Sequence, residues 1–230
     1  MNEQAPITKE KQYSVIFDVI KKHGVTKLGF MVNESWNQDP KRTLFTLARY
    51  KFVAKMLEGA SNVLEVGCAD AFGTRLVQQS CGKVTAVDYD PVFVADVIAR
   101  RDPSWPLDCF VHDLLEKPVP GEFDAIYSLD VLEHIKPDDE SRFLDNMLTS
   151  LSAQGVMIAG MPSLESQQYA SPQSKAGHVN CKTGADLKRL FKRHFQNVFL
   201  FSMNDEVVHT GFAPMAHYLM VLCCGKLHRS

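Results

Sequence analysis

The chain lacks the features that mark membrane and exported proteins. No apolar run approaches the roughly 20 residues that a membrane-spanning helix needs. Residues 1–11 are polar and of mixed charge, without the apolar core of an export signal. The six cysteines are scattered and never spaced as Cys-x-x-Cys, so neither a disulfide framework nor a structural zinc site is expected. The sequence therefore predicts a cytoplasmic protein with no membrane partner.

A strong charge of one sign is absent as well. The 25 Lys and Arg residues are balanced by 27 Asp and Glu residues, which gives a formal net charge of −2. A domain that binds nucleic acid is usually basic, with its cations clustered on one face. The local group of cations at residues 188–194 falls on a predicted helix and is expected to be a solvated helix end. No nucleic-acid partner is predicted.

The stretch at residues 62–74 carries the strongest structural signal. A short apolar run ends at Glu65 and Val66, the chain then breaks into glycine and small residues, and a helical pattern resumes at Thr74. Such a strand, tight turn and helix form the opening unit of a doubly wound sheet. The next strand signal ends at Asp88, 23 residues after Glu65, and this spacing suits a carboxylate that binds a ribose diol. The stretch therefore predicts a nucleoside site.

Strand and helix signals alternate along most of the chain. Helices are expected at about residues 12–22, 40–58, 91–98, 138–152 and 183–194, and strands at 62–66, 83–88, 107–111, 123–128, 155–160, 195–203 and 217–223. This order predicts an α/β fold with a doubly wound, seven-stranded, mostly parallel sheet and helices on both faces. Residues 1–40 are interpreted as an N-terminal helical extension that caps the active site, with a polar loop at residues 33–40. Residues 41–230 form the main domain.

The segment at residues 162–180 contains Ser, Gln, Pro, Gly, Tyr and His without periodicity. Loops of this length inside a compact domain are usually functional lids or disordered. Residues 204–214 are interpreted as a long hairpin connection between the last two strands.

The turn after the first strand does not fit a dinucleotide site. That site has three glycines at fixed offsets, so that a pyrophosphate can approach the helix N-terminus. Here Ala69 and Ala71 stand where glycine would be expected, and the negative charge of Glu65 precedes the turn. A carboxylate repels two phosphates but attracts a cationic or zwitterionic ligand. These residues favour S-adenosylmethionine, with its sulfonium and α-amino groups, over NAD.

Four motifs in order resemble the class I S-adenosylmethionine-dependent methyltransferases, in their broad small-molecule branch. Residues 65–71 resemble the family's first motif, Asp88 its acid after strand two, Asp113-Leu114 its adenine-edge pair, and residues 123–135 its strand-four motif. The resemblance covers roughly residues 42–224 and implies a Rossmann-like fold, S-adenosylmethionine as cofactor and S-adenosylhomocysteine as product. The cofactor-binding residues that it implies, together with neighbours of the turn, are Glu65, Gly67, Cys68, Ala69, Asp88, Tyr89, Asp113, Leu114 and Ser128.

The resemblance also assigns roles within this set. Asp88 would hold the ribose hydroxyls, Tyr89 would stack near the adenine, and Asp113 would accept from the adenine amino group. Other interpretations stay open: Asp88 as a cap of the following helix, Asp113 as a turn residue, Tyr89 as surface packing. Cys68 is also read as a small core residue.

Arg49 lies inside an apolar stripe of its predicted helix. Such an arginine extends its head toward water or pairs with a core carboxylate more often than it binds a ligand. An interaction between Arg49 and an anionic group of the cofactor is the second hypothesis.

Methyl transfer from a sulfonium is an in-line displacement that depends mainly on alignment. A hydroxyl or a protonated amine as acceptor also needs a base, and histidine is the usual choice. His178 and His134 are the candidates, as base or as acceptor-binding residue, and the alternative for His134 is that Glu133 and His134 cap a turn. No catalytic metal is predicted, since the acidic group at residues 138–140 is typical of a helix N-terminus.

Polar residues interleaved with aromatic ones suggest the acceptor. An acceptor site is expected between the segment around Trp36, residues 163–180 with Gln167, Tyr169 and Asn180, and residues 208–214 with His209. This combination suits a sugar or another hydroxylated small molecule. The predicted function is methyl transfer to a hydroxyl or amine of a polar small molecule; a homodimer stays open. The alternatives are a non-catalytic S-adenosylmethionine-binding regulator and, less favoured, an NAD-dependent oxidoreductase.

Overall fold

One mixed sheet runs through the part of the chain that the computed structural model describes, residues 8–227. Its strands are β1 (Asn62–Val66), β2 (Lys83–Asp88), β3 (Asp108–Val111), β4 (Phe123–Leu129), β5 (Leu151–Pro162), β6 (Phe195–Asn204), β7 (Val207–His209) and β8 (Tyr218–Lys226). The helices are α1 (Ser14–His23), α2 (Phe30–Gln38), α3 (Lys41–Met56), α4 (Thr74–Gln78), α5 (Pro91–Ala99), α6 (Glu140–Ser150), α7 (Pro172–Gly177) and α8 (Gly184–Lys192).

The strand order is β3-β2-β1-β4-β5-β8-β6-β7. The first five strands in this order pair in parallel, whereas β8 runs antiparallel to both β5 and β6, and β7 runs antiparallel to β6. The predicted α/β, mostly parallel sheet is confirmed, with eight strands instead of seven. The additional strand, β7, is three residues long and follows a turn at Asp205, whose φ is 50°. It was predicted as hairpin connection because three residues are too few to show a period.

Helices cover both faces of the sheet with separate apolar cores. On one face α3, α4 and α5 contribute Val53, Val77 and Val97 to a buried cluster that includes Val63 of β1. On the other face α6 and α8 pack against a second cluster, which includes Leu64 and Val66 of the same strand. The strand order reverses between β1 and β4, and open α/β sheets bind their ligands outside the carboxyl ends of the strands at such a point.

The N-terminal region is helical further along than predicted. Residues 30–38 form α2, whereas a polar loop was expected from residue 33. Val32 is buried there, and its backbone N–H donates to Asp70 Oδ2 at 2.8 Å. Asn37 Nδ2 donates to the Asn33 carbonyl at 2.8 Å. These contacts stabilise a helix that the polar composition disfavours. Helix α1 has no buried residue, and residues 1–7 of the predicted extension lie outside the described residues.

Side-chain caps begin two of the later helices, α7 and α8. The predicted loop at residues 162–180 contains the six-residue helix α7, which Ser171 caps by accepting from the Ser174 N–H. Helix α8 begins where the sequence predicted it, and the Thr183 side chain caps it by accepting from the Asp186 N–H. Across residues 8–227, none of the helices combines the length and the apolarity that crossing a bilayer requires.

Candidate active site

A cavity of about 460 Å³ lies above the carboxyl ends of β1, β2 and β4, where the strand order reverses. Its lining comes from the turn after β1, the end of β2, the turn after β3 and the turn after β4. The lining residues are Val66, Gly67, Ala69, Val87, Asp88, Tyr89, Phe93, His112, Asp113, Leu114, Leu115, Asp130, Val131, His134, Ile135 and Phe143.

The turn after β1 forms the floor of this cavity and needs an unusual backbone. Gly67 has φ +76°, and a Cβ there would overlap the Val131 side chain. Ala69 and Ala71 also have positive φ, at 45° and 51°. Positive φ costs an L-residue about 1–2 kcal/mol, and small side chains keep the turn open to a ligand. The sequence identified both alanines as departures from glycine, and both occupy positions that favour glycine.

Asp88 connects the ends of β1 and β2 at the edge of the cavity. It is buried, and its Oδ2 accepts from the Ala69 N–H at 2.8 Å while its Oδ1 accepts from the Asp90 N–H at 2.9 Å. The alternative that Asp88 caps α5 does not hold, because Asp90 accepts from the Val92 N–H in that role. The carboxylate therefore lies where a ribose-binding acid is predicted; the contact itself stays a prediction.

The predicted adenine end of the cavity is also assembled. Tyr89 lies at its rim with 73% of its surface exposed, and Leu114 forms a buried part of its wall. Asp113 Oδ1 accepts from the Leu115 N–H at 2.7 Å, so this residue shapes the turn and lines the cavity at once.

Three predicted cofactor residues lie behind the turn instead of in the lining. Glu65 is 1% exposed and accepts from the Tyr50 hydroxyl at 2.7 Å and the Thr74 hydroxyl at 2.5 Å. Burial raises the pKa of this carboxyl to about 7. Cys68 is buried with its Sγ 3.9 Å from that of Cys109. Direct cofactor contacts by Glu65 or Cys68 therefore have no geometric support.

Ser128 also lies behind the turn. It is buried, and its hydroxyl donates to the Val66 carbonyl at 3.1 Å. This bond joins β4 to the end of β1, so Ser128 fixes the two strands between which the cavity opens.

Arg49 follows the first of its two hypotheses and pairs with a carboxylate. Its Nη1 donates to Asp130 Oδ1 and Oδ2 at 2.9 and 2.7 Å, and its guanidinium lies 3.8 Å from the centre of the Tyr218 ring. The pair holds Asp130, whose φ is 57°, at the edge of the cavity. Asp130 was not singled out from the sequence, although a carboxylate directly after the strand-four signal is the feature that identifies it.

The charge of the cavity is negative, but it does not come from Glu65. Three carboxylates, Asp88, Asp113 and Asp130, belong to its lining, and the described lining includes no lysine or arginine. Such a surface attracts a sulfonium and an ammonium group and repels a diphosphate. The expected preference for S-adenosylmethionine over NAD thus rests on these three aspartates and not on Glu65. Sequence reasoning also missed Phe93, His112, Val131, Ile135 and Phe143 in the lining.

His134 and His178 face each other beside the cavity. Their ring centres are 5.1 Å apart, and His134 belongs to the lining. The Val179 and Asn180 N–H groups both donate to the Glu133 carbonyl, at 2.8 and 3.0 Å, so the chain after α7 is fixed against the turn that carries His134. Burial and the neighbouring His134 lower the pKa of His178. The two candidate bases therefore lie side by side in the structure.

The residues predicted to form the acceptor pocket are brought together only in part. Gln167 Oε1 lies 2.8 Å from His178 Nδ1, and Asn180 is buried close by. Trp36 and Tyr169, by contrast, are 55% and 84% exposed, and His209 bonds to Asn204. A second, open groove of about 630 Å³ lies between the start of α8 and residues 210–214.

Comparison with known proteins agrees with this geometry. A family model described as "Methyltransferase domain" matches residues 64–159. Proteins of Mycobacterium tuberculosis and Mycolicibacterium smegmatis, both named as probable S-adenosylmethionine-dependent methyltransferases, are 31% identical over 104 and 102 residues. The matches cover 45% and 44% of this chain but 36% and 38% of those proteins, so the chain spans little more than a third of their length. These findings support a methyltransferase domain of the S-adenosylmethionine-dependent kind over residues 64–159.

Solved structures of other methyltransferases share the fold. The N-methyltransferase NodS of Bradyrhizobium japonicum in complex with S-adenosylhomocysteine has a TM-score of 0.60 at 18% identity, over 83% of this chain and 91% of that one. The methyltransferase domain of a bacterial Hen1 has a TM-score of 0.65 at 15% identity, over 78% and 98%. These identities establish a common fold. The fold is therefore a methyltransferase fold, and the relatives named as S-adenosylmethionine-dependent support S-adenosylmethionine as the cofactor.

Proposed function

We propose that this protein transfers the methyl group of S-adenosylmethionine to a hydroxyl or amine of a polar small molecule, with sugars and sugar-containing metabolites as the first candidates. The observation that carries the proposal is the acid-lined cavity at the strand reversal, next to which two histidines face each other. The cavity would hold the cofactor, and the histidine pair would bind or deprotonate the acceptor.

Each part of the cavity suits one part of the cofactor. Asp88, at the end of β2, would accept from the ribose hydroxyls, and Asp113 from the adenine amino group. Asp130, held by Arg49 after β4, adds negative charge near the turn where the ammonium or the sulfonium would lie. In this arrangement Arg49 does not contact the cofactor but positions Asp130.

Cofactor binding is the first test, because it needs no acceptor. Titration of S-adenosylhomocysteine by calorimetry should give one site, and Asp88→Asn should weaken it about 10- to 100-fold, which corresponds to the loss of about 1.5–3 kcal/mol from hydrogen bonds to a charged group. Asp108→Asn is the matched control: it is also a strand aspartate, but it forms an exposed pair with Lys83 away from the cavity. Equal affinities for the two variants would contradict the cofactor placement.

Methyl transfer is tested with S-adenosylmethionine carrying a labelled methyl group. The expected result is label on a hydroxylated or amino-bearing small molecule from a cell extract, with less label for His134→Ala and His178→Ala. The structural neighbours include the small RNA methyltransferase HEN1. An oligoribonucleotide therefore belongs in the same assay as a second acceptor. Label on the RNA alone would contradict the small-molecule acceptor, and tight S-adenosylhomocysteine binding without any transfer would favour the regulator.

A further inference from the structure

Glu133 is a buried carboxylate without a partner. The residue is 1% exposed, and neither Oε1 nor Oε2 has a hydrogen-bond partner among the described residues. Burial, together with the charge of Asp130, raises the pKa of this carboxyl well above its usual range, while Arg49 acts in the opposite direction. An unsatisfied buried carboxylate is costly, and such groups are usually paired or coordinate a metal.

The two histidines beside it present free nitrogen atoms. His134 Nδ1 lies 2.9 Å from the Gly177 carbonyl, which only accepts, so a neutral ring carries its proton on Nδ1 and has a free lone pair on Nε2. His178 Nδ1 lies 2.8 Å from Gln167 Oε1, and the amide is oriented by Gln167 Nε2, which donates to the Ser163 carbonyl at 3.2 Å. Metal-binding histidines are oriented in this way, with the other ring nitrogen donating to a carbonyl or a carboxylate.

The three side chains meet in one place. One ligand atom from each of Glu133, His134 and His178 lies within 4.8 Å of the others. Around a tetrahedral zinc ion, with bonds of about 2.0–2.2 Å, ligand atoms are about 3.4 Å apart, so the widest pair would have to close by up to about 1.4 Å. Small rotations of the histidine rings and of the carboxylate supply a movement of that size.

We propose that Glu133, His134 and His178 form a binding site for a divalent transition-metal cation, of which zinc is the test case. Two imidazoles and one carboxylate are a ligand set that zinc takes in catalytic sites with an open position, whereas magnesium prefers oxygen ligands alone. The sequence-based expectation of no metal considered only the acidic group at residues 138–140 and not this cluster.

The open position indicates a use, which rests on the proposed function. His134 belongs to the cavity lining, so a cation held by its Nε2 would lie at the acceptor end. A hydroxyl bound to the cation would lose its proton more readily, since a bound cation lowers the pKa of a coordinated oxygen. The released proton would pass to solvent water, and the histidines would hold the ion that activates the acceptor instead of removing the proton themselves.

The test measures zinc binding alone, without cofactor or acceptor, on chelator-treated protein by calorimetry. The unmodified chain should bind one equivalent, and Glu133→Gln and His134→Ala should each weaken this binding by about 100-fold or more. Gln167→Leu touches no ligand atom but removes the anchor of His178, and it should weaken binding about 10- to 100-fold. Titration with magnesium in place of zinc should release no comparable heat of binding.

Two control variants separate this site from others. Cys181 lies next to Lys182 in the segment that follows His178, and its thiol is a possible zinc ligand in its own right, so Cys181→Ser should leave binding unchanged. His209→Ala, which changes a histidine on β7, should also bind as the unmodified chain does. Loss of zinc in Cys181→Ser, or full binding in both Glu133→Gln and His134→Ala, would overturn the proposal. Absence of zinc binding with intact S-adenosylhomocysteine binding would overturn this site but leave the proposed methyl transfer in place.

Discussion

The buried carboxyl of Glu65 should make the stability of this protein depend on pH in a direction opposite to that of most acidic residues. Its pKa is raised from an ordinary value of 4.5 to about 7, mainly because burial disfavours the charged form. Between these two values the folded state binds a proton that the unfolded state has released. The contribution of Glu65 to stability is therefore fully present below pH 4.5 and is lost as the pH rises through 7.

The size of this loss follows from the shift. One pKa unit corresponds to about 1.36 kcal/mol, so a group with these two values contributes a loss of about 2.5 kcal/mol between pH 5 and pH 8. For a chain of this length that corresponds to about 5–10 °C in melting temperature. The Tyr50 and Thr74 hydroxyls donate to the carboxylate and reduce the shift, and their effect is already included in the value of about 7.

The Glu65→Gln variant isolates the effect, because glutamine has the same shape and does not titrate. Its Oε1 can accept from Tyr50, and its amide can donate to the Thr74 hydroxyl, which then turns to accept. Urea unfolding of both proteins from pH 5 to pH 8 should show the unmodified chain losing about 2.5 kcal/mol more than the variant. Taking the difference removes the other titrating groups, and Glu116→Gln, at an exposed position, should follow the unmodified chain.

Parallel pH curves for the unmodified chain and Glu65→Gln would refute this reasoning. They would mean that the hydrogen bonds from Tyr50 and Thr74 outweigh burial, so that the carboxyl is ionised throughout the range. A variant that is less stable at pH 8 would refute it more strongly, since it would show the charged form to be favoured.

Other predictions follow from the backbone and the buried ion pair. Ala71→Gly should raise the free energy of unfolding by about 0.5–1 kcal/mol, because the relief of backbone strain at φ 51° exceeds the extra conformational entropy that glycine loses on folding. Ala99→Gly, at the end of α5, should lower it instead. The melting temperatures of the two variants should therefore shift in opposite directions. Gly67→Ala should destabilise the protein by about 1–3 kcal/mol, measured by urea unfolding, since φ +76° and a side-chain overlap both oppose it. Arg49→Met should cost about 1–3 kcal/mol by leaving Asp130 unpaired, and Asp130→Asn in the same chain should restore part of this loss.

Much of the fold was predictable because its signals are local and repeated. Apolar runs of strand length alternate with helical patterns, and each start or stop signal acts on its own neighbours. The helix predicted to end at residue 22 is followed by Gly24, and the helix predicted from residue 183 is capped by Thr183. The segments that were missed lack such signals. Helix α2 depends on a hydrogen bond from the Val32 N–H to the side-chain carboxylate of Asp70, 38 residues away, and β7 depends on pairing with β6.

Part of the candidate site was predictable for a different reason. The ends of parallel strands meet at one edge of the sheet, so Asp88 and Asp113 had to approach each other once the strands were assigned. His134 and His178 are 44 positions apart in the sequence, and their contact depends on the Gly177 carbonyl and on the backbone bonds to Glu133. No pattern in the sequence encodes those bonds, so the pair was predicted as two alternatives and not as one unit.

The position of Glu65 follows from the alternation of side chains along a strand. Side chains alternate across a strand, so Glu65 must share a face with Val63, which packs in the cluster under α3, α4 and α5. A carboxylate on that face points at Tyr50 and Thr74, away from a ligand at the end of the strand. Asp130, by contrast, stands one residue beyond the end of β4, where alternation no longer holds and the turn directs the side chain to the cavity. Acids that follow a strand are therefore better candidates for ligand contact in this fold than acids within one, and the three carboxylates of the lining all stand at or after the last residue of their strands.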